Sequence, residues 1–538
     1  MLHADELFFG FASEADDQWE LITLPLDRLT HTHLIGKTGA GKTTLMVSLA
    51  AQLIAEGAGV AVIDPAGDIS RRILIQLINI GFFARNPDAF ERFIYLDVVR
   101  AAREQQYLAF NILAGDYDPH TAASIVIEAY HRVWPTMQDG SSVNIELMTS
   151  LAAVVLAYNK LPLLPYLEDF YRVPAFRKRL LAQVQDTRVA NWLETLEVKQ
   201  DSPKIPAVVD TTLKRMILLS LPPVVGYALS QPENLLDGKQ LLASNRSVCL
   251  NLNLEDDSAA RLMGALFTRQ METAIKTRGQ AGSDTERKPY LLILDEVHNF
   301  IAHSGQAVDR MFAEARRAGV FVMAAHQYWG QLREGTSGGF SQCGIIAIFQ
   351  QKKESGRLSV EHIGLPIVQN KTVILPTPQG PRVQSVSPSD QVEDYVEIID
   401  KLPVGSAYLR LPDNKLYLLQ TLTTDDTVDK EELAAIEDVY IHRYFKPLGE
   451  INRAIDQVRI SASQRPTSQL PTPDATLHPF PPPATPSIPQ GVRKAQRPVR
   501  QLPPAAPPRP APAPDASEEH PPQSTKSGLK GGGKDAGF

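Results

Sequence analysis

The sequence is short of several things, and each shortage closes off a class of protein. Its 538 residues include two cysteines, Cys249 and Cys343. Two cannot build a disulfide scaffold, and no Cys/His grouping has zinc-site spacing. Cys249 falls in a predicted strand, Ser247–Leu252, and Cys343 just before another, Gly344–Phe349, so both are expected to be small buried hydrophobes. No apolar run approaches the roughly 18 residues that a membrane helix needs; the longest, Leu151–Tyr158, reads as a buried helix. The first residues carry Asp5 and Glu6 and no basic stretch, so no signal peptide is read and a cytoplasmic location is expected. Positive charge is not in excess either: 54 Lys+Arg face 61 Asp+Glu, a net charge of −7. A global basic signature of nucleic-acid binding is therefore missing, which leaves room only for a local basic surface.

What is there is unevenly distributed. Residues 461–538 hold 19 of the 41 prolines, with 9 Lys+Arg against 5 Asp+Glu. Pro481-Pro482-Pro483 and Leu502–Pro514 suit extended polyproline II. Few large apolar residues remain to bury, so a disordered tail is expected. Before it, Gly59–Ile63, Phe93–Asp97, Ser247–Leu252, Tyr290–Leu294, Val320–Ala325 and Gly344–Phe349 read as strands. Runs unbroken by polar residues suit a parallel sheet covered on both faces. Leu7–Phe11 and Trp19–Leu24 read as strands leading into His33–Ile35, and Ser406–Leu411 with Lys415–Leu419 as a closing hairpin. Between about His120 and Glu233 the strand signals vanish, and helical patterns such as Thr121–Val133 and Ser142–Tyr158 take over, punctuated by prolines. The expectation is an α/β domain in two parts, 1–118 and 241–460, interrupted by an all-α insertion, 119–240, and followed by the tail, 461–538.

The stretch His31–Met46 organises this pattern. Gly36, Gly41, Lys42 and Thr43 fill every fixed position of G-x-x-x-x-G-K-[ST], between a strand signal and a helix signal. The loop Gly36, Lys37, Thr38, Gly39, Ala40, Gly41, Lys42, Thr43 and Thr44 is expected to wrap the phosphates of ATP. Its glycines allow close approach, and its N–H groups and the following helix dipole face the anion. Lys42 would reach the β- and γ-phosphates, and the Thr43 hydroxyl would ligate Mg²⁺. A second motif ends the apolar run Leu291–Leu294 with Asp295 and Glu296. Ligands of open α/β sheets sit at such strand ends. Asp295 is expected to hold Mg²⁺, and Glu296 to act as the general base that polarises water, which argues for hydrolysis over transfer to an alcohol. Gln327 follows the strand Val320–Ala325 and would sense the γ-phosphate if that strand neighbours the Asp295 strand. Arg316 lies just before the same strand and is read as an arginine finger for a neighbouring subunit. His298 and His326 read as structural neighbours.

Taken together the motifs resemble a known family. The order is His-x-Leu-Ile-Gly-Lys-Thr-Gly-Ala-Gly-Lys-Thr, Val-Ile-Asp-Pro-Ala-Gly-Asp, a helical insertion, Leu-Asp-Glu-Val-His-Asn-Phe, Glu-Ala-Arg-Arg-Ala-Gly-Val and Ala-His-Gln. It is similar to the coupling-protein ATPases of type IV secretion and conjugation, within the FtsK/HerA-type motor group, over roughly residues 20–425. The resemblance implies a RecA-like motor domain with an all-α domain, a homo-hexameric ring, and DNA as the moved substrate, delivered with a relaxase to a membrane channel. By motif matching Lys42 and Thr43 carry over as phosphate and Mg²⁺ ligands, Asp295 and Glu296 as the acidic pair, Gln327 as the sensor and Arg316 as the finger. Coupling proteins typically begin with transmembrane helices, and this sequence shows none. That implies docking on a separate membrane partner at the inner membrane, or service in another process. Two other readings stay open: a HerA-like DNA-repair translocase, and a nucleotide-gated secretion adaptor that binds protein cargo.

Overall fold

The computed structural model describes residues 6–13, 19–133, 142–198, 204–281, 288–299, 305–332, 337–369, 371–377 and 380–464. Of the disordered tail expected from residue 461, residues 461–464 instead end the last described helix, and the remainder lies outside the described residues.

The strands are β1 (Glu6–Ser13), β2 (Trp19–Pro25), β3 (Thr32–Ile35), β4 (Gly59–Asp64), β5 (Phe93–Asp97), β6 (Gln106–Leu108), β7 (Ser247–Asn251), β8 (Tyr290–Leu294), β9 (Val320–His326), β10 (Ile345–Phe349), β11 (Lys371–Thr377), β12 (Gly380–Val386), β13 (Ser406–Arg410), β14 (Leu416–Thr421) and β15 (Phe445–Pro447). Eleven of them form one sheet in the order β2-β1-β14-β13-β10-β3-β9-β8-β4-β7-β5. From β10 to β5 all neighbours run parallel. Every residue of β3, β4, β7, β8 and β10 is buried. These are the uninterrupted apolar runs of the sequence, and a parallel sheet between two helical layers is the arrangement that buries them on both faces. The fold is thus the α/β, mostly parallel P-loop architecture that the alternation of elements implies.

The hairpin β13–β14 extends this sheet antiparallel to β10. β1 and β2 do not lie beside β3, as their place in the chain suggests. β1 pairs with β14, and β2 pairs with β1 and forms the far edge. Their side chains explain the placement: β2 is exposed at Trp19 and Glu20 and buried at Ile22 and Leu24, the alternation of a half-covered antiparallel edge. A small separate hairpin, β11–β12, and the helices Lys353–Ile363 and Pro388–Asp400 occupy a region where no element is legible from periodicity.

Two helices frame the site: α1 (Lys42–Ala55) and α2 (Asp68–Asn79). Between residues 119 and 244 the named elements are all helices, from Pro119–Val133 to Gly238–Ser244. One of these, Leu163–Arg172, escapes a reading that takes prolines as boundaries. Pro165 sits in its first turn, where a missing N–H costs nothing. No single helix among the described residues is long and apolar enough to cross a membrane. Both cysteines are free and buried.

The last described helix, Leu448–Gln464, packs its buried Ile451 against the core and runs past Ile460. It is tied to the helix Leu163–Arg172 by Tyr166 Oη donating to Ile455 O (3.4 Å) and by Arg459 Nε on Asp169 (3.0 Å). Ending the chain after Gln464 should therefore leave the melting temperature unchanged. Ending it after Pro447 should lower it, since Ile451 alone contributes about 2 kcal/mol of burial. Equal melting temperatures for the two truncations would show that this helix adds nothing.

Candidate functional site

The loop between β3 and α1 is bent by two glycines with positive φ. Gly39 has φ +77° and open space where a side chain would stand. Gly41 has φ +114°, and a Cβ there would come within 2.8 Å of the Gly405 backbone. Only glycine supports both conformations without strain. Neighbouring strands hold the loop from behind: Lys37 N donates to Gln350 O (2.8 Å) and Gly405 N to Ala40 O (2.9 Å). Lys37, Thr38 and Gly39 are exposed at its tip, and Thr43 and Thr44 are half-buried at the first turn of α1. Lys42 is buried and turns back into the loop, donating to Gly36 O (2.5 Å) and Lys37 O (3.3 Å). The loop carbonyls thus occupy its ammonium where a phosphate would otherwise bind. Burial lowers the Lys42 pKa, and the nearby charges of Asp295 and Glu296 oppose that shift.

β9 lies between β3 and β8. This is the neighbour relation on which the reading of Gln327 depends, and its consequence is direct contact. Gln327 Nε2 donates to Glu296 Oε1 at 2.7 Å. A second amide, unremarked in the sequence, grips the other oxygen: Gln331 Nε2 donates to Glu296 Oε2 at 3.2 Å. Gln331 Oε1 also accepts from Gln327 N (2.7 Å) and Tyr328 N (3.2 Å), so one side chain shapes the turn and meets the carboxylate. Glu296 itself has φ +49°. A left-handed backbone at a non-glycine residue stores about 1–2 kcal/mol and is characteristic of functional positions. His298 Nδ1 lies 3.5 Å from Glu296 Oε2, but burial lowers the His298 pKa, so the ring is neutral at pH 7 and the contact is no ion pair.

Asp295 sits beside this pair, its carboxyl pushed up to about 7 by burial and by the charges of Glu296 and Asp64, with Lys42 pulling the other way. Asp64 ends β4, whose Ile63 pairs with Leu294 of β8, so the two aspartates stand side by side at adjacent strand ends. Asp64 is fully buried and caps α2, accepting from Gly67 N (2.8 Å) and Ser70 N (2.7 Å). Its signal was the Val-Ile-Asp-Pro-Ala-Gly-Asp segment, whose aspartate falls at a strand end like Asp295. The charges of Glu296 and Asp64 thus both act on Asp295, with Lys42 opposing them. Among the described residues no group of three His, Cys, Asp or Glu could hold a metal. The charge excess nevertheless suits a divalent cation that arrives with phosphates, with Thr43 and Asp295 as the residues to hold it.

Arg316 is not part of this cluster. It is exposed at the C-terminus of the helix Gly305–Arg317, before β9 begins, whereas Gln327 follows the end of β9. A seven-residue strand separates them by about 20 Å. Arg72 is an unanticipated neighbour: from α2 its Nη2 donates to Thr44 Oγ1 (3.2 Å) and Thr424 Oγ1 (2.6 Å), and its Nε pairs with Asp426 (3.0 Å). No sequence pattern marks it, because Thr44, Thr424 and Asp426 meet it only through tertiary folding.

Residues 13–119 match the family described as helicase HerA, central domain. Among solved structures the chain is similar to a bacterial conjugative coupling protein, TrwBdeltaN70, at 14% identity and a TM-score of 0.46, over 76% of this chain and 90% of that one. It is similar to the plasmid coupling protein TrwB in complex with ADP and Mg²⁺ at 15% identity and a TM-score of 0.45, over 75% and 88%. It is also similar to VirB4 of Thermoanaerobacter pseudethanolicus at 10% identity and a TM-score of 0.45, over 79% and 98%. No curated protein matches the sequence. The family match over residues 13–119 and the motif resemblance agree on HerA.

The raised Asp295 pKa has a testable sign. The folded chain keeps a proton on this carboxyl that the unfolded chain releases near pH 4, so stability falls as pH rises from about 4 to about 7. Asp295→Asn removes that cost. In the ligand-free chain it should raise stability by roughly 2 kcal/mol or more at pH 8 and by much less at pH 5. Thermal melts at the two pH values measure this, and an equal shift at both would show that Asp295 is not burdened by its charge.

Proposed function

We propose that the chain is a Mg²⁺-dependent ATPase that translocates DNA, as the coupling protein that feeds a conjugative type IV secretion channel. The observation that carries the hydrolytic half is the Gln327–Glu296 hydrogen bond at the end of β9, one strand from the phosphate loop. A carboxylate held there by two amides is placed to take a proton from water that attacks a terminal phosphate. The amides are neutral donors, so they aim the Glu296 carboxylate without pairing it with a cation. On nucleotide binding Lys42 would exchange the Gly36 and Lys37 carbonyls for phosphate oxygens, and the exposed N–H groups of the loop tip would close on them. Mg²⁺, held by Thr43 and Asp295, would neutralise the charge that develops on the phosphates. The DNA half rests on the HerA match over residues 13–119 and on the coupling-protein motifs. The same HerA match favours a second reading, a DNA-repair translocase.

The placement of Arg316 supports its role between subunits. It stands at the edge of the sheet opposite its own phosphate loop, so it reaches a nucleotide only if a neighbour presents one, as in a homo-hexameric ring. A cytoplasmic ring that docks on membrane-channel proteins and receives DNA with a relaxase completes the proposal.

Three measurements test it. DNA should stimulate ATP hydrolysis; DNA-indifferent hydrolysis would favour a nucleotide-gated adaptor for protein cargo instead. Lys42→Ala should lose both binding and turnover, whereas Glu296→Gln should bind ATP and lose turnover by roughly 10²-fold or more. A Glu296→Gln chain at wild-type rate would remove the base assignment. For Arg316, subunits carrying Arg316→Ala and subunits carrying Lys42→Ala are each expected to be nearly inactive. Mixed rings contain sites with both groups intact, so activity should exceed the sum of the separate preparations. No recovery in rings shown to be mixed would confine Arg316 to its own subunit.

A further inference from the structure

Behind the Glu296 site, three histidines from three elements form a continuous hydrogen-bonded chain. His33 lies on β3, His326 ends β9, and His362 belongs to the helix Lys353–Ile363. His33 Nε2 meets His326 Nε2 at 2.8 Å, and His33 Nδ1 meets His362 Nε2 at 2.8 Å. His326 Nδ1 meets Tyr328 O at 3.2 Å. The carbonyl can only accept, so His326 carries its proton on Nδ1. Its Nε2 then accepts from His33 Nε2–H, and His33 Nδ1 accepts from His362 Nε2–H. One carbonyl thereby fixes three tautomers. The rings are neutral: His33 and His326 are fully buried, and the charges that act on the chain, Lys42 and Arg410, are cations that oppose protonation. Phe340 stacks on His33 at 4.5 Å, and Trp329 stands edge-on to all three imidazoles at 5.0 to 5.6 Å.

The chain ends at the turn that carries both amides. Tyr328 follows Gln327, and Trp329 Nε1 donates to Ser359 Oγ (2.9 Å) on the same helix as His362. Ser359 Oγ in turn donates to Gln351 Oε1 (2.9 Å). The turn 326–331 is therefore tied to the helix Lys353–Ile363 through these bonds. Two buried imidazoles and a half-buried third are a costly way to fill space that apolar side chains could fill, because each buried ring must be paired.

We propose that His33, His326 and His362 are positioning residues that hold the Gln327–Gln331 turn in register, so that both amides meet the Glu296 carboxylate. This rests on the hydrolytic reading of the site. The imidazoles set where Gln327 stands, whereas the phosphate loop meets His326 through its backbone carbonyl, which accepts from Gly36 N (3.3 Å) and does not depend on the ring-to-ring bonds, so the imidazole chain acts on turnover and not on nucleotide binding.

The test uses the full chain with His33→Phe and His33→Gln. Phenylalanine keeps the ring stack but can neither donate to His326 nor accept from His362. Turnover of ATP should fall about tenfold, with the affinity for a fluorescent ATP analogue and Mg²⁺ within about twofold of wild type. Glutamine offers a donor and an acceptor on one planar group and should recover most of the rate. A His33→Phe chain with wild-type turnover, or one that loses affinity in step with turnover, would overturn the proposal. If His33→Phe does not fold, His362→Phe at the half-buried end of the chain is read in the same way. A wild-type chain that hydrolyses no ATP refutes the function proposed above, not this placement. The decision then falls to ¹⁵N spectra of the histidine-labelled protein, which must show neutral rings protonated at Nδ1 of His326 and at Nε2 of His33 and His362. Any other set of tautomers overturns the chain and the inference with it.

Discussion

The seating of β9 between the strand that carries the phosphate loop and the strand that carries the acidic pair governs everything else at the site. A parallel sheet aligns its strand ends, so the loop after β3, the turn after β9, Asp295 after β8 and Asp64 after β4 share one edge. Strands in such a sheet lie about 4.8 Å apart. That spacing lets Gln327 reach Glu296 directly, while keeping the two carboxylates one strand removed from the loop.

Charge is the second constraint, and it follows from the first. Bringing Asp64, Asp295 and Glu296 to one buried edge leaves a single lysine to balance them. The structure answers in three ways. Asp64 spends its oxygens on the α2 backbone, Asp295 holds its proton to about pH 7, and Glu296 is shared by two amides. Lys42 meanwhile turns into its own loop. The ligand-free arrangement thus carries an excess of negative charge at this edge, on the side where the proposed cation would bind.

The strained backbone of Glu296 belongs to the same account. Its φ of +49° is held by the two glutamine contacts and by the turn that presents them. That turn is fixed by the imidazole chain and by Trp329, which tie it to the helix after β10. Rigidity at the acidic pair is therefore assembled from side chains that never touch the substrate space.

The sequence by itself determined the α/β class, the phosphate loop, the acidic pair and the strands of the parallel core. Each of these is encoded locally: a loop by consecutive residues that must wrap an anion, a buried strand by an unbroken apolar run, a pair by its place at the end of such a run. It also determined that Gln327 would end a strand. Strand order was not legible, because it depends on which apolar faces pack best and not on any segment alone. Only the tertiary structure decided that β9 would neighbour both β3 and β8, and that β1 and β2 would go to the far edge. The same holds for Gln331, Arg72, Asp64 and the three histidines, whose partners lie up to 352 positions away in the chain. A hydrogen bond across that distance leaves no periodicity to read, since one polar residue in an apolar run looks the same whether it is paired or not.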